Sequence, residues 1–223
     1  TKDYVSYIES IDSKLVGGIS YFRTTSFNML TKVEDKVKNV DTSTFFSIPS
    51  SMDGKTSQIM TDNFEIIYGK LSDKKEDIYL LVDSKNRINE NILKELGLGD
   101  KEKIDFNDIV GKEFKVVLNN QYYKKIDSRY VVSSSYDDLY NNSNNITLNI
   151  AGVIRGKKDN MYAKMSSTGL VYNTSLINFV IKENKNSEIV REQLNKDYNV
   201  LTLEKFEDGE EGAKSRDAVL AYL

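Results

Sequence analysis

Gly54-Lys55-Thr56 ends the way a phosphate-binding loop ends, with a lysine for phosphate oxygens and a hydroxyl for Mg²⁺. That chemistry needs a glycine five residues earlier, so that backbone N–H groups can wrap the phosphate. The residue there is Pro49, which has no N–H, and no apolar strand runs directly into the turn. Nucleotide binding is therefore not expected. Glu204, Glu207, Asp208, Glu210 and Glu211 offer oxygen ligands for a hard cation. They lack the alternating ligands, central glycine and closing bidentate glutamate of an EF-hand loop. The run reads as a solvated acidic turn whose charge favours a following helix N-terminus. Arg155-Gly156-Lys157-Lys158 reads as a charged hairpin tip, with contact to anionic lipid headgroups as the sharper alternative. Tyr122, Tyr123, Tyr130, Tyr136 and Tyr140 are dense enough to form a stacking surface for sugar or peptide. They also spread over two expected strands and a loop, and Tyr is a favoured strand residue. No pair of carboxylates stands out as an acid/base couple. No catalytic, cofactor-binding or metal-binding residue is assigned, and no cofactor is expected.

The side chains that are missing narrow the chemistry further. The chain has neither His nor Cys. Serine or cysteine nucleophiles activated by histidine are excluded, as are thiolate zinc sites, iron–sulfur clusters and disulfides. Carboxylates, Ser–Lys or Thr nucleophiles and oxygen-ligated Ca²⁺ or Mg²⁺ remain. A chain without Cys suits an exported bacterial protein, because a free thiol outside the cell is an oxidation liability. The net charge of -3 and pI near 5.3 disfavour a nucleic-acid partner, which calls for a basic face. With 223 residues, 39% hydrophobic and 29% charged, the composition is that of a water-soluble globule of one or two domains. The many Lys, Asn, Ile and Tyr residues with a single Pro suit an AT-rich bacterial genome. No run approaches the roughly 18 apolar residues of a membrane span. Thr1 in place of Met, and a helix-like run at 218–223, lead us to expect both ends to be internal to a longer protein.

Strands and helices must position whatever these residues do. Val5, Ile8, Ile11 and Leu15 recur at helical spacing up to the Gly17-Gly18 break. Ile19, Tyr21, Arg23, Thr25, Phe27 and Met29 alternate as a strand does, and Thr44 to Ile48 form a shorter one. Residues 50–57 read as a loop. Further strands are expected at 64–68, 78–82 and 114–118, the last pairing with a strand over 122–132. Residues 133–145 read as a Ser/Asn-rich loop. The strand after it puts Ile146, Leu148, Ile150 and Gly152 on one face, and Ala151 and Val153 on the other. A short strand is expected at 169–172 and another at 200–203. Asn89 caps a helix ending at Gly97; Asn173 or Thr174 caps one with Leu176, Ile177, Val180 and Ile181; Asn186 or Ser187 caps one with Ile189, Val190 and Leu194. A final helix follows the acidic turn. Strands and helices mix without regular βαβ alternation, so the fold class is α+β.

One ordered set of segments is more specific. It runs Asn63-Phe64-Glu65-Ile66-Ile67-Tyr68-Gly69-Lys70-Leu71, Ile78-Tyr79-Leu80-Leu81-Val82 and Leu93-Lys94-Glu95-Leu96-Gly97-Leu98. Val110-Gly111-Lys112-Glu113-Phe114-Lys115-Val116-Val117 and Leu148-Asn149-Ile150-Ala151-Gly152-Val153-Ile154-Arg155 complete it. In this order the segments resemble the extracytoplasmic domain of MacB/FtsX-type ABC transporter permeases of Gram-positive bacteria. Ser72 stands where that family usually has Pro, Asp77 takes the acidic position before the second strand, and an insertion at 119–145 separates the last two strands. The match is good over 63–182 and weak over 1–62 and 183–223.

The resemblance implies a MacB-like periplasmic core domain in two parts. A β-rich, Sabre-like subdomain at 63–182 would interrupt a mixed α/β porter-like subdomain at 1–62 with 183–223, and that discontinuous porter-like part is expected to be incomplete in this sequence. It implies an extracellular position on the cell membrane, one membrane span before the domain and three after it, and an adjacent gene for a cytoplasmic ABC ATPase. It implies a permease homodimer and an extracellular peptide, lipoprotein or protein partner. The family's domain carries no catalytic residues; ATP hydrolysis belongs to the separate subunit. Two other classes stay open on the residues alone. One is a secreted or surface-anchored binding module, such as an adhesin or solute-binding lipoprotein. The other is an enzyme using carboxylates or a Ser–Lys pair, which would need converging groups of displaced pKa in a concave pocket.

Overall fold

A computed structural model describes residues 2–12, 14–16, 28–48, 57–133, 135–158, 160 and 168–223. The Gly17-Gly18 break, the expected strand up to Phe27, and Pro49 with Gly54-Lys55-Thr56 lie outside them. The fold is α+β.

Helix α1 (Lys2–Glu9) is shorter than its apolar spacing predicts, since Ile11 and Leu15 fall in turns beyond it. β1 (Asn28–Val33) and β2 (Lys36–Asn39) form a hairpin over Glu34 and Asp35, whose φ angles of 47° and 64° match the twist of tight hairpin turns. β3 (Phe45–Ile48) and α2 (Ser57–Asn63) precede β4 (Phe64–Gly69) and β5 (Asp77–Val82). α3 (Glu90–Glu95) has the expected Asn89 cap, whose side chain accepts from the Asn91 N–H at 2.8 Å. β6 (Glu113–Val117), a single turn α4 (Asn119–Tyr122), β7 (Tyr123–Ile126), β8 (Arg129–Val132) and α5 (Tyr136–Tyr140) follow. β9 (Ile146–Gly156) and β10 (Gly169–Asn173) lead into α6 (Thr174–Lys185), α7 (Glu188–Leu194) and α8 (Glu210–Tyr222).

The main sheet has eight strands in the order β2-β1-β6-β9-β5-β10-β3, with β4 added on β9. β9 organises it. Its first half pairs antiparallel with β6, its second half antiparallel with β4 along the same edge, and β5 lies parallel along the other. β1–β3, which precede residue 63, lie in the same sheet as β4–β6, β9 and β10, which follow it.

Both faces of the sheet are covered. Ile78, Leu80 and Val82 of β5 face a core closed by α3 (Ile92) and α6 (Leu176, Ile177, Val180). Tyr79 and Leu81, one residue out of phase, face a smaller core with Ile59 and Met60 of α2. A strand apolar at every position is what burial on both faces requires.

Three expectations are corrected. Residues 122–132 do not pair with β6, whose neighbours are β1 and β9; the α4 turn redirects the chain, and β7 and β8 pair with each other as a separate ribbon. Residues 133–145 contain α5, capped by Ser135, whose buried Leu139 packs on Leu30 and Val117. Residues 200–203 are not a strand; only a Tyr198–Lys205 bridge forms there, and Leu203 has φ 65°. Gln193 takes the backbone bonds a strand partner would otherwise supply.

Candidate functional site

The strands that carry the family resemblance meet at two glycines. Gly69, at the end of β4, pairs with Gly152 of β9. The pairing of β9 with β5 slips between Ile78–Ile150 and Tyr79–Gly152, a β-bulge that advances the alternation by one residue. Val153 therefore joins Ile150 in the larger core, while Ala151 and Ile154 face the smaller one. Strict alternation had put Val153 opposite Ile150. Just beyond the bulge, Arg155 donates to Glu65 of β4 from Nη2 at 2.6 Å and from Nε at 3.1 Å, and to the Asn86 Oδ1 at 2.8 Å. The Lys157 Nζ donates to the Thr61 carbonyl at 2.6 Å. The basic turn is thus half committed to holding β4 and the loop before α3. Lys157 and Lys158 are its exposed members.

The other flagged residues do not converge. Tyr123 and Tyr130 are buried in a satellite core with Ile189, Val190 and Val200; Tyr140 belongs with Leu139; Tyr136 is exposed. Tyr122 meets Tyr123 edge-to-face at 5.0 Å between ring centres. These rings form packing more than a continuous platform. In the acidic turn, Glu210 and Glu211 both reach Lys214, at 2.9 and 3.6 Å. Among the described residues no group of three acidic side chains is placed to hold a metal ion. Among the described residues, the carboxyl groups with displaced values move down, as when the Lys125 hydrogen bond holds Glu192 below its usual range. A general acid would be pushed the other way.

The most developed polar assembly is one that pattern reading missed. It joins the 119–145 insertion to the C-terminal helices. Asn119, buried to 2% exposure, receives its backbone contact from the chain beyond β10: its N–H donates to the Asn184 Oδ1 at 3.0 Å. Its Nδ2 donates to the Leu223 carbonyl at 2.5 Å. Asn120 caps α7 from outside, its Oδ1 accepting from the Glu188 N–H at 2.9 Å, where Ser187 makes no side-chain cap bond. Glu192 Oε2 accepts from the Lys125 Nζ at 2.6 Å and from the Tyr130 hydroxyl at 3.0 Å, fastening the ribbon to α7. Burial, and then this bond to Glu192, push the Tyr130 hydroxyl well above its ordinary value. Gln193, fully buried, donates from Nε2 to the Tyr198 carbonyl at 2.9 Å and accepts from the Val200 N–H at 3.0 Å. Sequence did hold one signal: Gln193 sits four residues after Ile189, on the apolar stripe of α7. Leu194, expected in that stripe, is exposed.

No known family model, curated protein or solved structure matches the chain. Among the described residues, no helix is long and apolar enough to cross a membrane.

Proposed function

We propose that this chain is an extracellular domain of a MacB/FtsX-type ABC transporter permease, which binds a partner or passenger and relays motion without catalysing a reaction. One observation supports the reading most: of the five ordered segments that carry the resemblance, one ends α3 and four become β4, β5, β6 and β9, the first three of which all pair with β9. These four strands are thus neighbours in one sheet. In this reading 63–182 is the Sabre-like part and 1–62 with 183–223 the porter-like part, sharing one sheet through β1–β3. ATP hydrolysis falls to a cytoplasmic partner subunit, and the permease works as a homodimer on the cell membrane.

The chain has no Cys, which makes a direct test available. An Asp100→Cys variant of the full-length gene product, exposed at that position, is treated on intact cells with a membrane-impermeant maleimide. Labelling before lysis, together with an ATPase that copurifies from membranes, is the expected result. Labelling only after lysis overturns the reading. Labelling without flanking spans or an ATPase moves the assignment to a secreted or surface-anchored binding module.

A further inference from the structure

The β7–β8 ribbon has one face and one edge left over. Tyr123, Lys125 and Tyr130 lie on the face turned to α7. The opposite face carries Lys124, Ile126 and Arg129, all exposed, with Val131 half-buried beside them. Ile126 is 55% exposed. Among the described residues, the side chains of Lys124 and Arg129 have neither an ion pair nor a hydrogen bond, whereas Lys115, Lys125 and Arg155 on other strand faces each have a carboxylate. Two unopposed cations beside exposed aliphatic carbon, on a chain of net charge -3, form a local surface complementary to an acid.

The edge is equally specific. The Ser133 N–H donates inward to the Tyr122 carbonyl at 2.9 Å, and the Tyr130 N–H donates outward to the Val200 carbonyl at 2.9 Å. In an antiparallel ladder, inward and outward pairs alternate. Tyr130 pairs with Lys125, so the Lys125 N–H and C=O point out of the free side of β7. Among the described residues no strand pairs with that side; the Tyr123 N–H at its start donates to the Asn119 carbonyl of α4, and no backbone group outside the ribbon bonds to Lys125. Two-stranded ribbons gain markedly from a third strand.

We propose that β7 takes up an extended segment of a partner protein as a third strand, with acidic side chains at every second position on the face of Lys124 and Arg129 and aliphatic ones between them on the face of Lys125. Strand addition supplies affinity through the backbone and specificity through alternate side chains. A lipid surface would meet the cations but leave the outward Lys125 amide without its partner. The proposal is independent of the permease reading, since a secreted module would present the same edge.

The test is an amide-shift titration of the ¹⁵N-labelled chain with an acetylated hexapeptide of alternating Glu and Val. We expect saturable shifts centred on Lys124, Lys125 and Ile126, weakened roughly tenfold or more in a Lys124→Glu/Arg129→Glu variant. Those two side chains are exposed and unpaired, so the variant keeps its fold. Lys125→Met, which retains the backbone N–H, keeps binding, while Lys125→Pro abolishes it. No shift at millimolar peptide overturns the proposal. So does undiminished binding by the double variant, equal binding of an alternating Lys–Val hexapeptide, or binding only to vesicles containing phosphatidylglycerol.

Discussion

Gly69 and Gly152 face each other where β4 leaves β9, and neither has room for a side chain. A Cβ on Gly69 would lie 2.3 Å from the Ala151 carbonyl oxygen, and one on Gly152 would lie 2.8 Å from the Tyr68 carbonyl oxygen. Gly69 also has φ 82°, a conformation that costs other residues strain. The neighbours in both cases are backbone, which cannot step aside as a flexible side chain can. Gly69→Ala and Gly152→Ala should each destabilise by about 1–3 kcal/mol. Urea unfolding checks this, with Gly111→Ala as a comparison: it has a similar φ but open space for a Cβ. An equal loss in all three would mean that the close approach contributes nothing beyond the dihedral.

Tyr79 holds the loop that follows β4. Its hydroxyl accepts from the Ser72 N–H at 2.8 Å and donates to the Ser72 carbonyl at 3.1 Å. Tyr79→Phe leaves both backbone groups short of a partner and should cost about 1–3 kcal/mol in chemical denaturation. Burial pushes the hydroxyl up to about 12, from an ordinary value of 10.0. The folded state thus holds this proton more tightly than the unfolded chain. Its contribution is complete below the ordinary value and is lost as pH rises through the folded one. Absorbance titration should show this phenol ionising later than free tyrosine, and Tyr79→Phe should flatten the alkaline limb of stability.

Glu192 predicts the opposite limb. Hydrogen bonding to Lys125 holds its carboxyl below the ordinary 4.5, against the upward push of burial. A depressed folded value adds stability above the ordinary pKa, and that stability fades as pH falls through the folded value. Glu192→Gln should lessen the loss of stability on acidification and leave the remainder of the profile in place. Denaturation midpoints measured between about pH 3 and 7 read this out. Loosening should centre on the ribbon, visible as faster amide exchange at Tyr130. Identical acid limbs in the two proteins would contradict the role given to Glu192.

Gln193 stands in for a missing strand partner. Gln193→Leu keeps bulk on α7 but removes the acceptor of the buried Val200 N–H and the donor to Tyr198. A loss of about 1–3 kcal/mol is expected. Amide exchange at Val200 should accelerate more than exchange in β5 or β9, because the damage is confined to the 198–200 turn. Gln193→Glu should fare worse than Gln193→Leu, since it brings a charge into a fully buried position.

Chain order and local chemistry determined a good part of this protein. The uniformly apolar Ile78–Val82 run could only be a strand covered on both faces, and Asn89 and Asn173 announced their helices through side chains able to accept from the first turn. Helix and strand content, and hence the α+β class, follow from such local periodicities. Tertiary structure decided everything that depends on a partner distant in the chain. Period-two reasoning cannot register the bulge at Gly152, because the extra residue is defined by what stands across from it. The 122–132 segment alternates as a strand should, yet its partner is itself, because the α4 turn carries it off the edge of β6. Asn119 and Glu192 look like ordinary surface residues in sequence, and Gln193 shows only its place on the apolar stripe of α7. Their roles come from donors and acceptors between 5 and 104 positions away, which only the folded chain brings within bonding distance.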